Sequence, residues 1–407
     1  MNLVRLPILE ISQPSATPAP TAAPSGAFEA GPRSISAVRV LRISVTDRCN
    51  FRCVYCMPEE GVRWLPKEDI LSFEEIRDVV RAAIEVHGIR RFKLTGGEPT
   101  IRHGITDLVR MLRKVNGIED LSLTTNGFLL EELAQPLLEA GLDRVTVSID
   151  SLKPDRFRRI TRTGDLAAVL RGLDRAEAVG LRSLKINCVT MRGTNDDEFA
   201  DFGRLSLTRQ LTVRFIEYMP LGDAAVMHAS DGTGDPPVLS ASELRRGSHG
   251  QVARATAQVD GSEIGPAGGC GAQDRGADAF ISETQVRDRI ERELGLLLPV
   301  DRRSESGVGP ANVYRLAHGD PLGRIGFISA MSAPFCDTCN RLRLTANGVL
   351  RSCLFEGGEV DIRPILRGAS TSSSRPAALA AAMTDCVRLK PEVHSQRGNE
   401  QMSRIGG

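Results

Sequence analysis

The sequence predicts an α/β fold whose strands run mostly parallel. From Val38 to Leu221 one rhythm repeats: a short β-branched run, a polar or glycine-containing loop, then an amphipathic helix. Such alternation predicts a parallel sheet joined by right-handed crossovers. At 407 residues the chain is long enough for one α/β barrel and an addition. Six strands are too few to close an eightfold barrel, so the pattern leaves two architectures open: a partial (β/α)6 TIM-type barrel or an open doubly wound sheet.

The predicted strands are Val38–Val45, Arg91–Leu94, Leu121–Thr125, Arg144–Ile149, Leu184–Thr190 and Thr212–Glu217. Between them lie helical patterns at Phe73–His87, His103–Val115, Leu130–Ala140, Ala167–Val179 and Asp196–Leu207. Residues 1–37 are rich in Pro, Ala and Ser and carry no secretory signal, so they read as a disordered leader. Residues 222–281 are rich in Gly, Ala, Ser and Asp and read as a flexible insertion. Region 282–407 is expected to be an α+β extension. It contains a helix at Thr284–Leu294 and strands at Asn312–Leu316, Arg324–Ser329 and Arg341–Thr345. A final helix follows the low-complexity stretch Gly368–Pro376, and the polar tail ends Gly406-Gly407.

Fifty-two basic residues against 51 acidic ones exclude a bulk polycation, so any anion must be met by a local cluster. No nucleic-acid partner is expected. No apolar run approaches the roughly 18–20 residues that cross a bilayer, so no membrane association is expected either. Only six of the basic residues are Lys, which makes each one informative. The nine cysteines are odd in number and unevenly clustered, an argument against a disulfide framework and for metal or redox chemistry.

Cys49-x3-Cys53-x2-Cys56 directly follows the first strand. Three thiolates on one tight loop can hold three irons of a cubane [4Fe–4S] cluster. Clusters usually take four cysteines, so the missing fourth leaves one iron open to a small molecule. A structural zinc loop, the alternative, pairs two Cys-x2-Cys units, and this spacing is not that. Cys336-x2-Cys339-x13-Cys353 is a second set of three, again one short. Zinc is the stronger rival there, although His318 is the one nearby histidine to complete it. Cys188, Cys270 and Cys386 carry no assigned role; a buried small hydrophobe is the default for Cys188.

Polar motifs cluster toward the carboxyl ends of the predicted strands, the face that hosts catalysis in barrels. They are Gly96-Gly97-Glu98-Pro99, Thr124-Thr125-Asn126-Gly127, Ser148-Ile149-Asp150, Lys185 with Asn187, and Arg214, Glu217 and Met219. Any one alone is an ordinary turn; with the cysteine loop after the first strand, six strands so decorated are not. Gly97 permits close backbone approach to a ligand. Lys93 and Lys185 suit a triphosphate as point charges. Arg42, Arg341 and Arg343 supply planar forks, and alternation puts Arg341 and Arg343 on one side of their strand.

The run Cys49-Asn50-Phe51-Arg52-Cys53-Val54-Tyr55-Cys56 is similar to the cluster motif of the radical S-adenosylmethionine (SAM) superfamily. The second triad, the Arg341-Leu342-Arg343 run, Phe215–Pro220 and the Gly-Gly terminus resemble its GTP 3′,8-cyclase (MoaA) family over roughly three quarters of the chain. The resemblance implies a partial barrel of the radical SAM kind and a C-terminal extension carrying a second cluster. By it, Cys49, Cys53 and Cys56 hold the SAM cluster, and Cys336, Cys339 and Cys353 hold a substrate cluster. Tyr55, Gly97, Ser148 and Met219 would border SAM. Arg42, Lys93, Thr124, Lys185, Arg341, Leu342 and Arg343 would contact GTP. Arg341, Arg343, Gly406 and Gly407 would be catalytic, the tail reaching into the site.

The implied reaction is a lyase step of molybdenum-cofactor biosynthesis. A 5′-deoxyadenosyl radical removes hydrogen from ribose C3′, C3′ adds to guanine C8, and reduction gives (8S)-3′,8-cyclo-7,8-dihydroguanosine 5′-triphosphate. Implied cofactors are two [4Fe–4S] clusters and SAM. Implied partners are cyclic pyranopterin monophosphate synthase downstream, an electron donor such as flavodoxin or ferredoxin, and a second copy of the chain in a homodimer. The location implied is cytoplasmic. A peptide-modifying maturase with two clusters is the alternative. The leader and the long insertion depart from the family pattern without touching a motif residue.

Overall fold

Strand β1 (Val40–Ser44) shows how each element of the sheet is built: Leu41 and Ile43 are fully buried, while Arg42 between them faces the other way. The same alternation recurs in β2 (Arg91–Thr95), β3 (Asp120–Thr125), β4 (Arg144–Ser148), β5 (Arg182–Thr190) and β6 (Leu211–Glu217). One face of the sheet meets the helices through aliphatic side chains and the other looks into a polar interior. The structure is a computed structural model describing residues 31–58, 61–219, 221, 279–301, 309–356, 358–368 and 374–394. Most of the predicted leader and insertion, Cys270, and the tail with Gly406 and Gly407 lie outside the described residues.

Crossover helices α1 (Phe73–His87), α2 (Ile105–Arg113) and α3 (Leu130–Glu139) follow β1, β2 and β3 in turn. Between β4 and β5 stand two helices, α4 (Pro154–Thr161) and α5 (Leu166–Ala178), and α6 (Phe199–Thr208) follows β5. Local signals set their ends. Ser72 and Glu75 form a reciprocal capping box on α1, and Gly88 closes it in the left-handed conformation (φ 66°). Asp165 caps α5 through the amide of Ala167 at 2.9 Å. Helix α4 has no counterpart in the expected strand–helix rhythm. Its sequence, PDRFRRIT, is too polar to signal an apolar stripe, and it buries only Phe157, Ile160 and Thr161.

The chain then returns through α7 (Glu283–Leu294), β7 (Leu297–Pro299), β8 (Asn312–Leu316), β9 (Arg324–Ile328), β10 (Arg341–Leu344), β11 (Val349–Arg351), β12 (Glu359–Asp361), α8 (Arg363–Arg367) and α9 (Arg375–Arg388). Among the described residues all twelve strands form one open sheet, ordered β12-β11-β10-β1-β2-β3-β4-β5-β6-β9-β8-β7. Eight consecutive strands, β10 through β9 in that order, are parallel. The C-terminal region is therefore not a mere appendage. It sends β10 to the β1 edge and β9 to the β6 edge, covering both exposed rims of the six-stranded partial barrel with hydrogen bonds. The three-residue strands β7, β11 and β12 are too short for periodicity to reveal.

The main core lies between sheet and helices, with Phe92, Ile43, Leu94, Val79 and Val80 inaccessible to solvent. Phe215 stacks on Phe327 at 5.8 Å and meets Phe199 edge-on at 5.4 Å, joining β6, β9 and α6. Among the described residues no helix is long and apolar enough to cross a membrane.

Candidate functional site

The loop after β1 carries Cys49, Cys53 and Cys56 to the carboxyl end of the sheet. Gly97 sits behind it: a Cβ there would lie 2.3 Å from the carbonyl oxygen of Arg48 and 2.6 Å from that of Asp47. The glycine is thus demanded by the approach of the cysteine loop's own backbone, not only by a ligand. Glu98 lies buried beside it and accepts from the Thr125 hydroxyl (2.6 Å) and the Asn126 amide (2.6 Å). The two turn-like motifs Gly96–Pro99 and Thr124–Gly127 therefore hold one another. Asn126 Nδ2 continues the chain of bonds to Asn50 Oδ1 at 2.8 Å, within the cysteine loop.

Tyr55, between Cys53 and Cys56, donates its hydroxyl to Asp150 Oδ2 at 2.7 Å. Asp150 Oδ1 in turn accepts from the Val189 amide at 2.8 Å. This ties the cysteine loop to the ends of β4 and β5. Burial pushes the Cys49 thiol up to about 12 and the Cys53 thiol well above its ordinary value. Such thiols ionise only when a strong Lewis acid takes the proton's place.

Cys336 and Cys339 lie just before β10 and Cys353 just after β11, at the opposite end of the interior. The register shows this: β10 starts at Arg341 opposite Val40, the first residue of β1, whereas the Cys49 loop follows β1's last. The five residues of β1 separate the two ends by roughly 16 Å at ~3.3 Å rise per residue. Burial alone would raise the Cys339 thiol, but Arg341 and Lys390 outweigh it and hold the thiol below its ordinary value. Lys390 is buried, with Nζ donating to the Cys339 carbonyl at 2.9 Å. Glu217 at the end of β6 anchors the approach to this loop, accepting from the amides of Met331 (2.9 Å) and Ser332 (2.8 Å) and from that of Glu283 (3.0 Å).

One cavity of about 350 Å³ runs between the two cysteine triads and touches all six thiols. Seven cations line it: Arg42, Lys93, Arg144, Lys185, Arg214, Arg341 and Arg343. They form a ladder across the sheet, since Arg343, Arg42 and Lys93 pair in register on β10, β1 and β2. Three carboxylates share the wall, and each is already engaged: Glu98 and Asp150 as above, and Asp120 with Arg144. Burial, then the neighbouring Arg214, Arg42 and Lys185, push Lys93 well below its usual value. Burial likewise lowers Arg42, Arg214 and Arg343, with neighbouring guanidinium groups adding to it. Thr124 Oγ1, Asn187 Oδ1 and Arg214 Nε are buried at the wall and meet no protein hydrogen-bond partner. Such a site calls for a polyanion with further hydrogen-bonding groups.

All-cysteine donor sets suit iron–sulfur clusters. Among the described residues no three His, Cys, Asp or Glu side chains gather as ligands of one metal ion. A cubane distributes its thiolates over separate irons, and two sets of three cysteines lining one cavity suit that chemistry.

Of the remaining candidate ligands within the described residues, Tyr55, Gly97, Thr124, Ser148, Lys185 and Met219 line this cavity. Leu342 does not. Its side chain is fully buried in the apolar core because strand alternation turns it away from Arg341 and Arg343. The sequence placed Asp150, Asn187 and Arg214 among the motifs of the catalytic face without an individual role, and singled out none of Arg144, Lys390 and His394 as site residues. Lys390 had a signal, being one of the six lysines. Arg144 had none, because its place opposite Ser122 arises from sheet register. His394 stacks on Phe355 at 4.0 Å and bonds the Ala330 carbonyl at 2.8 Å beside Cys336. Cys188 is fully buried among apolar side chains, as its default reading expected.

Comparison with known proteins places this geometry. Residues 43–205 match the radical SAM superfamily model and residues 263–396 the model described as Molybdenum Cofactor Synthesis C. Among solved structures, Streptococcus suis SuiB bound to S-adenosylmethionine overlaps 86% of this chain and 68% of its own at 12% identity, with a TM-score of 0.47. The GTP 3′,8-cyclase of Pelotomaculum thermopropionicum is 42% identical over 91% of this chain and 98% of its own length. Those of Moorella thermoacetica (41% identical, 91% and 98%) and Pseudomonas entomophila (40%, 88% and 90%) match similarly. Both halves of the cavity fall within these matches, and the chain belongs to the GTP 3′,8-cyclase family of the radical SAM superfamily.

Proposed function

We propose that the chain converts GTP to (8S)-3′,8-cyclo-7,8-dihydroguanosine 5′-triphosphate, the first step of molybdenum-cofactor synthesis. The observation that carries this is the placing of two incomplete cysteine triads at opposite ends of one cation-lined cavity. Cys49, Cys53 and Cys56 would hold a [4Fe–4S] cluster bordered by Tyr55, Gly97, Ser148 and Met219, where SAM binds. Cys336, Cys339 and Cys353 would hold a second. When bound, the first cluster and SAM supply the one-electron chemistry that yields a hydrogen-abstracting 5′-deoxyadenosyl group.

The chain's own residues do the rest by position. Arg42, Lys93, Lys185, Arg214, Arg341 and Arg343 would neutralise the triphosphate and fix the nucleotide along the cavity, with Thr124 and Asn187 offering oxygens to it. The partial barrel would hold the reacting carbons against one another and keep competing C–H groups away from an open-shell carbon. Gly406 and Gly407 would approach from the tail. A peptide-modifying role finds no support in the seven cations of the wall, which suit a polyanion.

An external donor such as flavodoxin or ferredoxin would deliver electrons, cyclic pyranopterin monophosphate synthase would take the product, and the chain would pair as a homodimer. Oxygen-labile clusters favour the reducing cytoplasm as its place of work. The test is anaerobic incubation of reconstituted protein with SAM, dithionite and GTP. Formation of 5′-deoxyadenosine that depends on GTP, with the cyclised triphosphate, is expected, alongside about eight irons per chain. Deoxyadenosine formed equally without GTP overturns the substrate assignment.

A further inference from the structure

The loop bearing Cys49, Cys53 and Cys56 is held from outside by the last turn of α4 and the connection to α5. Two bonds are backbone to backbone: the Arg52 amide donates to the Thr161 carbonyl at 3.0 Å, and the Val54 amide to that of Ile160 at 2.9 Å. Three come from side chains. Arg162 Nη1 donates to the carbonyls of Arg52 (3.1 Å) and Met57 (3.0 Å), and the Thr163 hydroxyl to that of Asn50 (2.8 Å). The contacts reach residues between and beyond the cysteines. Arg162 is the one that bridges across Cys53 and Cys56, from Arg52 to Met57.

Its backbone marks it further. Arg162 has φ 61° and is one of three non-glycine residues with positive φ among the described residues. With ψ −42° it centres a tight three-residue turn closed by the Thr163 amide donating to the Thr161 carbonyl at 2.8 Å, a rare conformation. A side chain bearing Cβ there is strained, and strain persists where the surroundings compel it. Here the strained backbone aims the guanidinium back over the loop. Strain with a bridging contact distinguishes Arg162 from the other arginines of α4: Arg156, for one, pairs with Asp197 and Glu198.

We propose that Arg162 is a positioning residue for the radical SAM cluster: its guanidinium, spanning the Arg52 and Met57 carbonyls, fixes the shape in which the loop presents Cys53 and Cys56. The proposal rests on reading these cysteines as cluster ligands. It assigns Arg162 no contact with SAM or GTP.

The test compares Arg162→Gly, which relieves the backbone and removes the guanidinium, with Arg162→Leu, which keeps a long side chain but can donate to neither carbonyl. Hydrogen–deuterium exchange of residues 50–57 is measured anaerobically on reconstituted protein, with iron release to a chelator and the electron paramagnetic resonance change on adding SAM. We expect Arg162→Gly to exchange faster in this loop alone and to lose iron 10–100-fold faster, the range typical of outer-shell partners. Strands β2–β5 should exchange as in the parent, and the SAM-induced spectral change should shrink. Loop protection and iron retention equal to the parent overturn the proposal. If Arg162→Gly does not fold, Arg162→Leu decides by the same readings. A parent that binds no iron at the first triad defeats the cluster reading instead, while the exchange data still report on Arg162.

Discussion

Lys93 shows at the scale of one residue how this chain accepts instability in exchange for binding. Its Nζ donates to Thr146 Oγ1 at 3.2 Å, and burial with four neighbouring cations holds its pKa well below the 10.5 of an ordinary lysine. A base depressed in the folded state favours folding less while it is charged, so its charge opposes the fold at neutral pH. A bound triphosphate reverses the balance by stabilising the charged form. Lys93→Met should therefore leave the melting temperature unchanged or raise it, while weakening GTP about 10–100-fold through the loss of a charge-assisted contact. Thermal melts and calorimetry check both halves; a variant that loses stability and keeps affinity contradicts this account. The sign for pH follows: an anion lifts the pKa of Lys93, so binding takes up protons and weakens as pH rises toward 10.5. Titrations in two buffers of different ionisation enthalpy measure that uptake.

At the scale of the element, the packing of the Gly96–Pro99 turn on the cysteine loop decides whether the first triad keeps its shape. Gly97→Ala would place a methyl group 2.3 Å from the Arg48 carbonyl, which is backbone and cannot swing aside. The expected cost is about 1–3 kcal/mol of stability, with a lower iron content of the first triad, read by denaturant unfolding and by iron analysis. Normal iron with normal stability would mean that the loop yields at no expense. Elements were the most legible level of this sequence. Helix α1 spans the residues its capping signals and apolar stripe announce, and the six barrel strands stand within two residues of their β-branched runs. Helix α4 was not legible because its polar face hides three buried contacts among arginines. The role of Glu98 was also hidden, since no spacing announces that two glycine-bearing turns will share one carboxylate.

At the scale of the whole molecule, the site depends on pairings between residues far apart in sequence. The cysteine spacings announced two sets of three thiols, but not that both would line one cavity. That follows from β10 pairing with β1 and β9 with β6, about three hundred and one hundred residues apart (Val40↔Arg341, Thr212↔Arg324). Local propensity carries no record of such pairings, and neither did it place Arg144 and Arg214 beside Lys93. Glu217 is where the two halves of the chain are joined. Buried at the end of β6, it accepts backbone amides from Glu283, Met331 and Ser332, and the Ser332 hydroxyl as well. Truncating it leaves those donors buried without an acceptor, at about 1–3 kcal/mol per group when the lost partner is charged. Glu217→Ala should therefore destabilise the fold by about 3 kcal/mol or more and loosen the segment leading to Cys336. Glu217→Gln, which keeps the acceptor oxygen, should recover part of it. The prediction separates the two triads: iron bound by Cys336, Cys339 and Cys353 falls in Glu217→Ala while the first triad keeps its own. Equal loss from both triads would show that Glu217 supports the fold at large and not the approach to the second triad.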